Sequence, residues 1–409
     1  MRGVCVLVNK PKATKFLSMS ELGSVYQWII LGGLILSLLG VIVNLFSFDG
    51  LRPVPSPASS SAKRVSILVP ARNEALNIEA CVRSLANQDY PNFELLILDD
   101  HSTDGTGRIL RELSREGLQL EVLRSADLPA GWTGKSWACD QLAKRADGEF
   151  LFFADADTTH AVGTVSAAVA YAERYRSDLL SAWPRLLTVT WAEKLIIPMI
   201  LFLGMLLYPH WLLRWLQSHP QIAKRLPSNW TRHLGAANGQ FMFFTRAGYV
   251  RIGGHESVRS HLVEDVALGR AVAAQLGQGM RLANCEALDF STVRMYRSFS
   301  ETWAGFTKNV RAAFDDSIGS FLLVGLWQLS GFLLPFVFVI AAPSRWIFGQ
   351  LLVIYVLRLL ISWRFRTSWL SCIFHPCAQI LALGIGLNSW ICSARGGVEW
   401  KGRKYSVGG

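Results

Sequence analysis

The chain has 409 residues, 51% of them hydrophobic, and only 17% are Asp, Glu, Lys or Arg, against about 25% in soluble domains. That composition excludes a disordered or fully solvated protein and points to a membrane protein. Lys and Arg outnumber Asp and Glu by 41 to 30, a net charge of +11, which favours anionic lipid surfaces or anionic substrates and does not by itself indicate nucleic acid.

Residues 1–24 form an arm without a structural pattern, in which Met19 is an alternative start. Val25 to Phe48 carry no charge and are long enough, at about 20 residues per crossing, to span a bilayer as one helix. The run is too long for a cleavable signal and lacks a small-residue cleavage site, so it reads as a retained anchor, followed by a Pro/Ser-rich linker over 49–62. From 63 to 318 the pattern becomes that of a soluble α/β domain. Strands are expected at Val65 to Val69, Phe93 to Leu98 and Glu149 to Ala154, and helices at Leu76 to Asn87 and Thr106 to Arg115. These elements predict a mostly parallel, Rossmann-like sheet whose strand ends carry the ligand.

Leu195 to Leu216 is apolar but holds Pro198, Pro209, His210 and Arg214, so an interfacial or re-entrant segment is expected rather than a crossing; a buried helix pair is the other reading. Over 319–394 come three more apolar segments, 321–342, 346–363 and 369–393, and then a basic tail, 395–409, with Arg395, Lys401, Arg403 and Lys404. Three full crossings would put that tail across the membrane from the soluble domain, against the positive-inside tendency. The last segment, which contains His375-Pro376, is therefore expected to re-enter. Seven cysteines without a CxxC pair indicate a reduced, cytosolic catalytic portion.

Three clusters carry chemistry. Val69-Pro70-Ala71-Arg72-Asn73-Glu74 and Leu98-Asp99-Asp100-His101-Ser102-Thr103-Asp104-Gly105-Thr106 each follow a strand, where carboxylates can accept hydrogen bonds from a nucleoside; Ser102 to Thr106 equally suit turn and cap chemistry. Phe152-Phe153-Ala154-Asp155-Ala156-Asp157 ends an apolar strand in Asp-x-Asp. Two like charges so close are favourable when a divalent cation bridges them to something anionic, and oxygen ligands favour Mg²⁺ or Mn²⁺ shared with a diphosphate. In Gly253-Gly254-His255 and Val263-Glu264-Asp265, Asp265 opens a helix, either as a charge on the helix dipole or as a general base. Lys135, after Gly131-Trp132-Thr133-Gly134, is either a diphosphate contact or a solvated surface charge.

In this order, VPARNE, LDDHSTDGT, DAD and VED across 63–270 resemble the inverting family 2 glycosyltransferases with the GT-A fold. The resemblance implies that Pro70, Asn73, Glu74 and Asp100 bind the nucleotide and Lys135 the donor diphosphate. It further implies that Asp155 and Asp157 hold Mg²⁺ or Mn²⁺, and that Asp265, beside Glu264, is the base. PAGWTGKSWAC, GAANGQFMFF, GGHESV, RMYRSFSETWAGFTKN and WKGRKY look like the membrane-bound transferases that glycosylate carotenoids or accompany hopanoid biosynthesis, the carotenoid group somewhat more so. The QxxRW motif of processive synthases is absent, and Arg294 to Trp303 occupies the comparable region. These features imply sugar transfer from a nucleotide-sugar to a lipophilic acceptor in the bilayer, by an integral protein of a bacterial inner or thylakoid-type membrane with its catalytic domain facing the cytosol. Trp132, Trp183, Gly254, His255, Arg294 and Trp303 are the expected acceptor- or membrane-side residues, and membrane lipids the expected surroundings; Trp183, Tyr208 and Trp211 equally suit an interfacial belt. A hopanoid, glycerolipid or polyprenyl phosphate acceptor is the alternative, and an inactive membrane scaffold on the same fold is the alternative of another class.

Overall fold

A computed structural model describes residues 19–395, 398–400 and 403–405. Most of the expected N-terminal arm, and Lys401 in the tail, lie outside the described residues. Among the described residues, eight strands form one sheet: β1 (Val65–Ala71), β2 (Phe93–Asp99), β3 (Glu121–Arg124), β4 (Phe150–Ala154), β5 (Thr158–His160), β6 (Leu179–Leu186), β7 (Phe241–Thr245) and β8 (Leu282–Val293). Their order is β3-β2-β1-β4-β7-β6-β8-β5. The first four run parallel, as expected. β7 runs antiparallel to β4 and β6, and β5 antiparallel to β8, so the sheet is mixed beyond its parallel half.

Alternation along buried strands sends successive side chains to opposite faces. Ile67, Val69, Ile97 and Phe152 pack on one face against Cys81, Val82 and Leu85 of the Ile78–Ala86 helix, with Leu110 and Val165. Leu68, Leu96, Leu98 and Phe153 pack on the other against Ala138 and Leu142, and Leu268 and Val272, from the helices Gly134–Arg145 and Glu264–Ala274. The carboxyl ends of β1, β2 and β4 thus share one edge, where three of the acidic motifs begin.

A third cluster joins this domain to the apolar helices, through Leu34 and Val41, Trp183, Phe202, Phe332, Ile354, Ile361 and Ala378. Among the described residues, four helices are long and apolar enough to cross a membrane: Gly23–Ser47, Ile318–Ala341, Arg345–Arg364 and His375–Ala394. The second is broken at Leu333, because Pro335 has no N–H for the carbonyl of Gly331. Leu195 to Leu216 falls into Trp191–Ile196, Pro198–Leu207 and His210–Ser218, prolines preceding or opening the last two, with a 42° bend before the final helix. Asn44 Nδ2 donates to the carbonyls of Met205 and Tyr208 at 2.8 and 2.8 Å, satisfying two acceptors that the bend releases.

The domain-side ends of the apolar helices are fastened to the sheet. Glu286 N donates to Asp49 O at 2.9 Å. Arg364, closing its helix, pairs with Glu286 and donates to Phe48 O. His375 begins its helix beside the break in Ile318–Ala341, its Nε2 at 3.1 Å from Phe332 O. Toward the other end of that helix, Ser389 Oγ accepts from Arg311 N at 3.1 Å. The chain then forms an antiparallel hairpin of β9 (Val398–Trp400) and β10 (Arg403–Tyr405), with Arg403 opposite Trp400.

Candidate active site

A cavity of about 500 Å³ opens at the carboxyl edge of the parallel strands and is lined by Pro70, Asn73 and Glu74, Asp100, Lys135, Asp155, Asp157, Glu264, Asp265 and Arg294, among others. Stretches almost 200 residues apart converge there because β1, β2 and β4 end together and the Glu264–Ala274 helix packs over that end.

The loop after β1 is held by the loop after β2. Asn73, with φ of 51°, donates its N–H to Ser102 Oγ at 3.0 Å and accepts from Thr103 N at 2.8 Å through Oδ1. Thr106 Oγ1 accepts from Glu74 N at 2.8 Å, and Asp104 Oδ2 from Ala75 N at 2.9 Å. Ser102 to Thr106 therefore serve as turn chemistry. Their effect on the site is to fix Glu74 and Asp100 on its wall.

Lys135 sits in the first turn of Gly134–Arg145, a helix whose start Thr133 caps by accepting from Ser136 N. Its Nζ lies 2.7 Å from Asp155 Oδ1 and 2.8 Å from Glu264 Oε1. Burial alone would lower this ammonium, but the carboxylates of Asp155, Glu264 and Asp265 outweigh it and hold the pKa well above the ordinary lysine value. For Glu264, burial raises and Lys135 lowers, with a net lowering. Asp155 is raised, chiefly by burial.

Asp265 opens its helix, where the dipole favours a carboxylate; Oδ2 accepts from Gly239 N at 2.6 Å and Oδ1 from its neighbour Val266 N at 2.8 Å. Burial, and then the charge of Glu264, push its pKa up to about 6 despite Lys135. A carboxyl tuned toward neutrality beside one kept ionised is how a site separates an acid–base group from an electrostatic one.

Arg294 lines the cavity with its guanidinium tied to Glu193 at 3.0 and 3.2 Å. The remaining acceptor-side expectations fall outside the lining. Trp132 packs edge-on against Trp137. Trp183 is buried among Phe48, His210 and Phe365, donating to Asn284. His255, fully buried, bonds Tyr249 Oη at 2.8 Å, and Gly254 packs on that same ring. Trp303 lies against Phe299 and Gly384. Burial in the apolar core, rather than nearness to a motif in the chain, decides where Trp183 and His255 end, whereas Trp132 and Trp303 are half-buried against other aromatic rings. Conversely, Arg72, Asn238, Gly239, Arg297, Lys308 and Arg403 line the cavity; each lies in one of the motifs above, which by themselves assigned none of the six a role.

Asp155 and Asp157 both face the cavity, and hard oxygens are the donor set a divalent cation takes. Among the described residues no group of three or more His, Cys, Asp or Glu side chains is arranged to hold a metal ion, so the other ligands would be those of a bound diphosphate and water.

Residues 66–200 match the family model described as Glycosyl transferase family 2. The 4,4'-diaponeurosporenoate glycosyltransferase of Staphylococcus aureus strain MRSA252 is 26% identical over 378 residues, covering 84% of this chain and 89% of that protein. The protein of the same name from strain bovine RF122 / ET3-1 is 27% identical over 380 residues, with the same coverage. In fold, the chain is similar to a mannosyltransferase from Pyrobaculum calidifontis solved with GDP-Man and Mn²⁺, at a TM-score of 0.51 and 16% identity, covering 90% of this chain and 98% of that one. The fold is thus the GT-A fold of glycosyltransferases. Residues 66–200 thus carry a match to family 2 of those enzymes, and the chain as a whole is similar to glycosyltransferases named for a carotenoid acid.

Proposed function

We propose that this protein is a membrane-bound, inverting glycosyltransferase that moves a hexosyl group from a nucleotide-sugar to a terpenoid lipid of the carotenoid class. The observation that carries the reading is the convergence of Asp100, Lys135, Asp155, Asp157 and Asp265 on one cavity. The names of the relatives, and the GDP-Man and Mn²⁺ bound to the mannosyltransferase, support the choice of acceptor and donor class. An intact set of acid and base groups speaks against an inactive scaffold.

Asp100 and Glu74 accept hydrogen bonds from the nucleoside, while Lys135 faces the diphosphate. A divalent cation on Asp155 and Asp157 would neutralise charge on the departing diphosphate. As the bond from the anomeric carbon to phosphate breaks, Lys135 stabilises the negative charge that develops on the leaving group. Asp265 accepts the proton of the acceptor hydroxyl. A single displacement assisted by one base inverts the anomeric carbon, whereas a carboxylate nucleophile would retain it.

An apolar acceptor needs a greasy approach. Along one rim, Leu76 is 80% exposed and Trp191 60% exposed; Arg297 donates to Asn77 at 2.8 Å, and Phe299 stacks on Trp191 with centroids 5.7 Å apart. This rim continues into the bent segment Trp191–Ser218, which supports entry from the bilayer.

Three crossings and one re-entrant segment account for the apolar helices. Gly23–Ser47, Ile318–Ala341 and Arg345–Arg364 cross, and the domain-side tether of Arg364 supports the return of the third. The His375–Ala394 helix starts beside the mid-helix break at Phe332 and leads to a hairpin on the domain, which fits re-entry and a basic tail on the domain's side.

Profiling the lipids of a deletion strain tests the reading. It predicts that glycosylated terpenoid disappears and its aglycone accumulates; an unchanged glycoside content refutes it.

A further inference from the structure

Arg403 comes from the strand β10, 303 residues beyond Asp100, yet it lies within the cavity. Its Nη1 and Nη2 donate to Asp100 Oδ2 and Oδ1 at 2.6 and 2.9 Å, the two-pronged fit of a planar guanidinium to a carboxylate. Both side chains are largely buried, at 18% and 6% exposure. The guanidinium fills the space above Gly134, where even a Cβ would collide with it. The next residue is Lys135. Arg403 therefore sits between the nucleoside side of the cavity at Asp100 and the diphosphate side at Lys135, while its hairpin packs beside the Phe299–Ala313 helix.

Charge gives this placement a consequence. Among the described residues, the lining carries seven carboxylates against six cations, Arg403 among the six. For a polyanion entering among so many carboxylates, the loss of Arg403 removes one of the few cations that the described lining offers. Pairing with Arg403 also means that Asp100 meets the ligand as a neutral couple and not as a bare carboxylate.

We propose that the C-terminal hairpin is a wall of the donor site and that Arg403 is a donor-binding residue for the nucleoside diphosphate. This rests on the glycosyltransferase reading above. It makes the tail a working part of the catalytic domain, delivered back to it by the re-entrant helix.

The test is titration of the purified full-length protein in detergent with UDP and with GDP, each with Mn²⁺, for wild type, Arg403→Ala, Arg403→Lys and Gly134→Ala. Loss of a charge-assisted contact predicts that Arg403→Ala weakens binding of the nucleotide that wild type prefers by about tenfold or more, with Arg403→Lys between the two. Gly134→Ala keeps every charge, but its Cβ would collide with the guanidinium and press on Asp100 Oδ2 at 3.1 Å, so it should weaken binding alone and by much less in the Arg403→Ala background; it also carries the test if Arg403→Ala does not fold. Equal or tighter binding by folded Arg403→Ala overturns the inference while leaving the glycosyltransferase reading in place, since Arg403 would then only anchor the tail or plug the site. Failure of wild type to bind either nucleotide overturns the glycosyltransferase reading, and this inference with it.

Discussion

Replacing Asp265 by Asn removes the proposed base while disturbing little else. Each carboxylate oxygen accepts one backbone N–H, from Gly239 and from Val266, and the Asn side chain keeps one of these acceptors, so the structural cost is about 1 kcal/mol. The kinetic cost is larger: a positioned general base contributes about 10²- to 10⁴-fold, or about 2.7–5.4 kcal/mol of barrier. Because burial and Glu264 raise Asp265 to about 6, the wild type should also show an acid limb. The base works only when deprotonated, so kcat/KM rises with pH through about 6, and at pH 5 about a tenth of the plateau remains. Transfer of labelled sugar, measured from pH 4.5 to 8 beside nucleotide titration, reads both effects. Asp265→Asn should bind nucleotide about as wild type does and transfer at least 100-fold more slowly. Turnover by the folded variant within about threefold of wild type, or a wild-type profile flat down to pH 5, would refute the reasoning.

A Cβ on Gly239 would lie 2.9 Å from Asp265 Oδ2 and 3.1 Å from Lys135 Nζ, so Gly239→Ala should displace both groups and lower kcat by about 10- to 100-fold with an unchanged unfolding midpoint. Arg294→Ala leaves Glu193, whose side chain is fully buried, without its cation; a loss of about 3 kcal/mol is expected, read as a lower thermal midpoint that Glu193→Gln in the same chain partly restores. Reporters of membrane side fused after Gly409 and inserted between Pro343 and Ser344 should fall on opposite sides, the first with the catalytic domain; finding both on one side contradicts three crossings.

Glu74, Asp100, Asp155 and Asp157 could be read in advance because each sits in a short motif directly after an apolar strand, and parallel strands bring such ends together whatever the rest of the chain does; Asp265 opens a helix instead, and only its motif pointed to it. Arg403 could not be read in advance. Its place depends on a hairpin folding back after 300 residues, and a basic tail by itself reads as a solvated or lipid-facing run. Trp183 and His255 show the converse: one is drawn into the junction with the apolar helices and the other into the domain core, and no local pattern distinguishes an aromatic or imidazole ring that lines a cavity from one that fills a core. The antiparallel β7 was hidden for a similar reason, since FMFFT is as apolar as a parallel core strand and its direction is set by the long segment before it.

The most direct test of the central claim is transfer of labelled sugar by the purified protein from a nucleotide-sugar to carotenoid-containing vesicles, followed by extraction into organic solvent. Label should enter the organic phase bound to the terpenoid, with nucleoside diphosphate released in equal amount, and both should fall at least 100-fold in Asp265→Asn. Label that stays wholly in water, with no diphosphate released beyond that of an empty-vesicle control, would contradict the account.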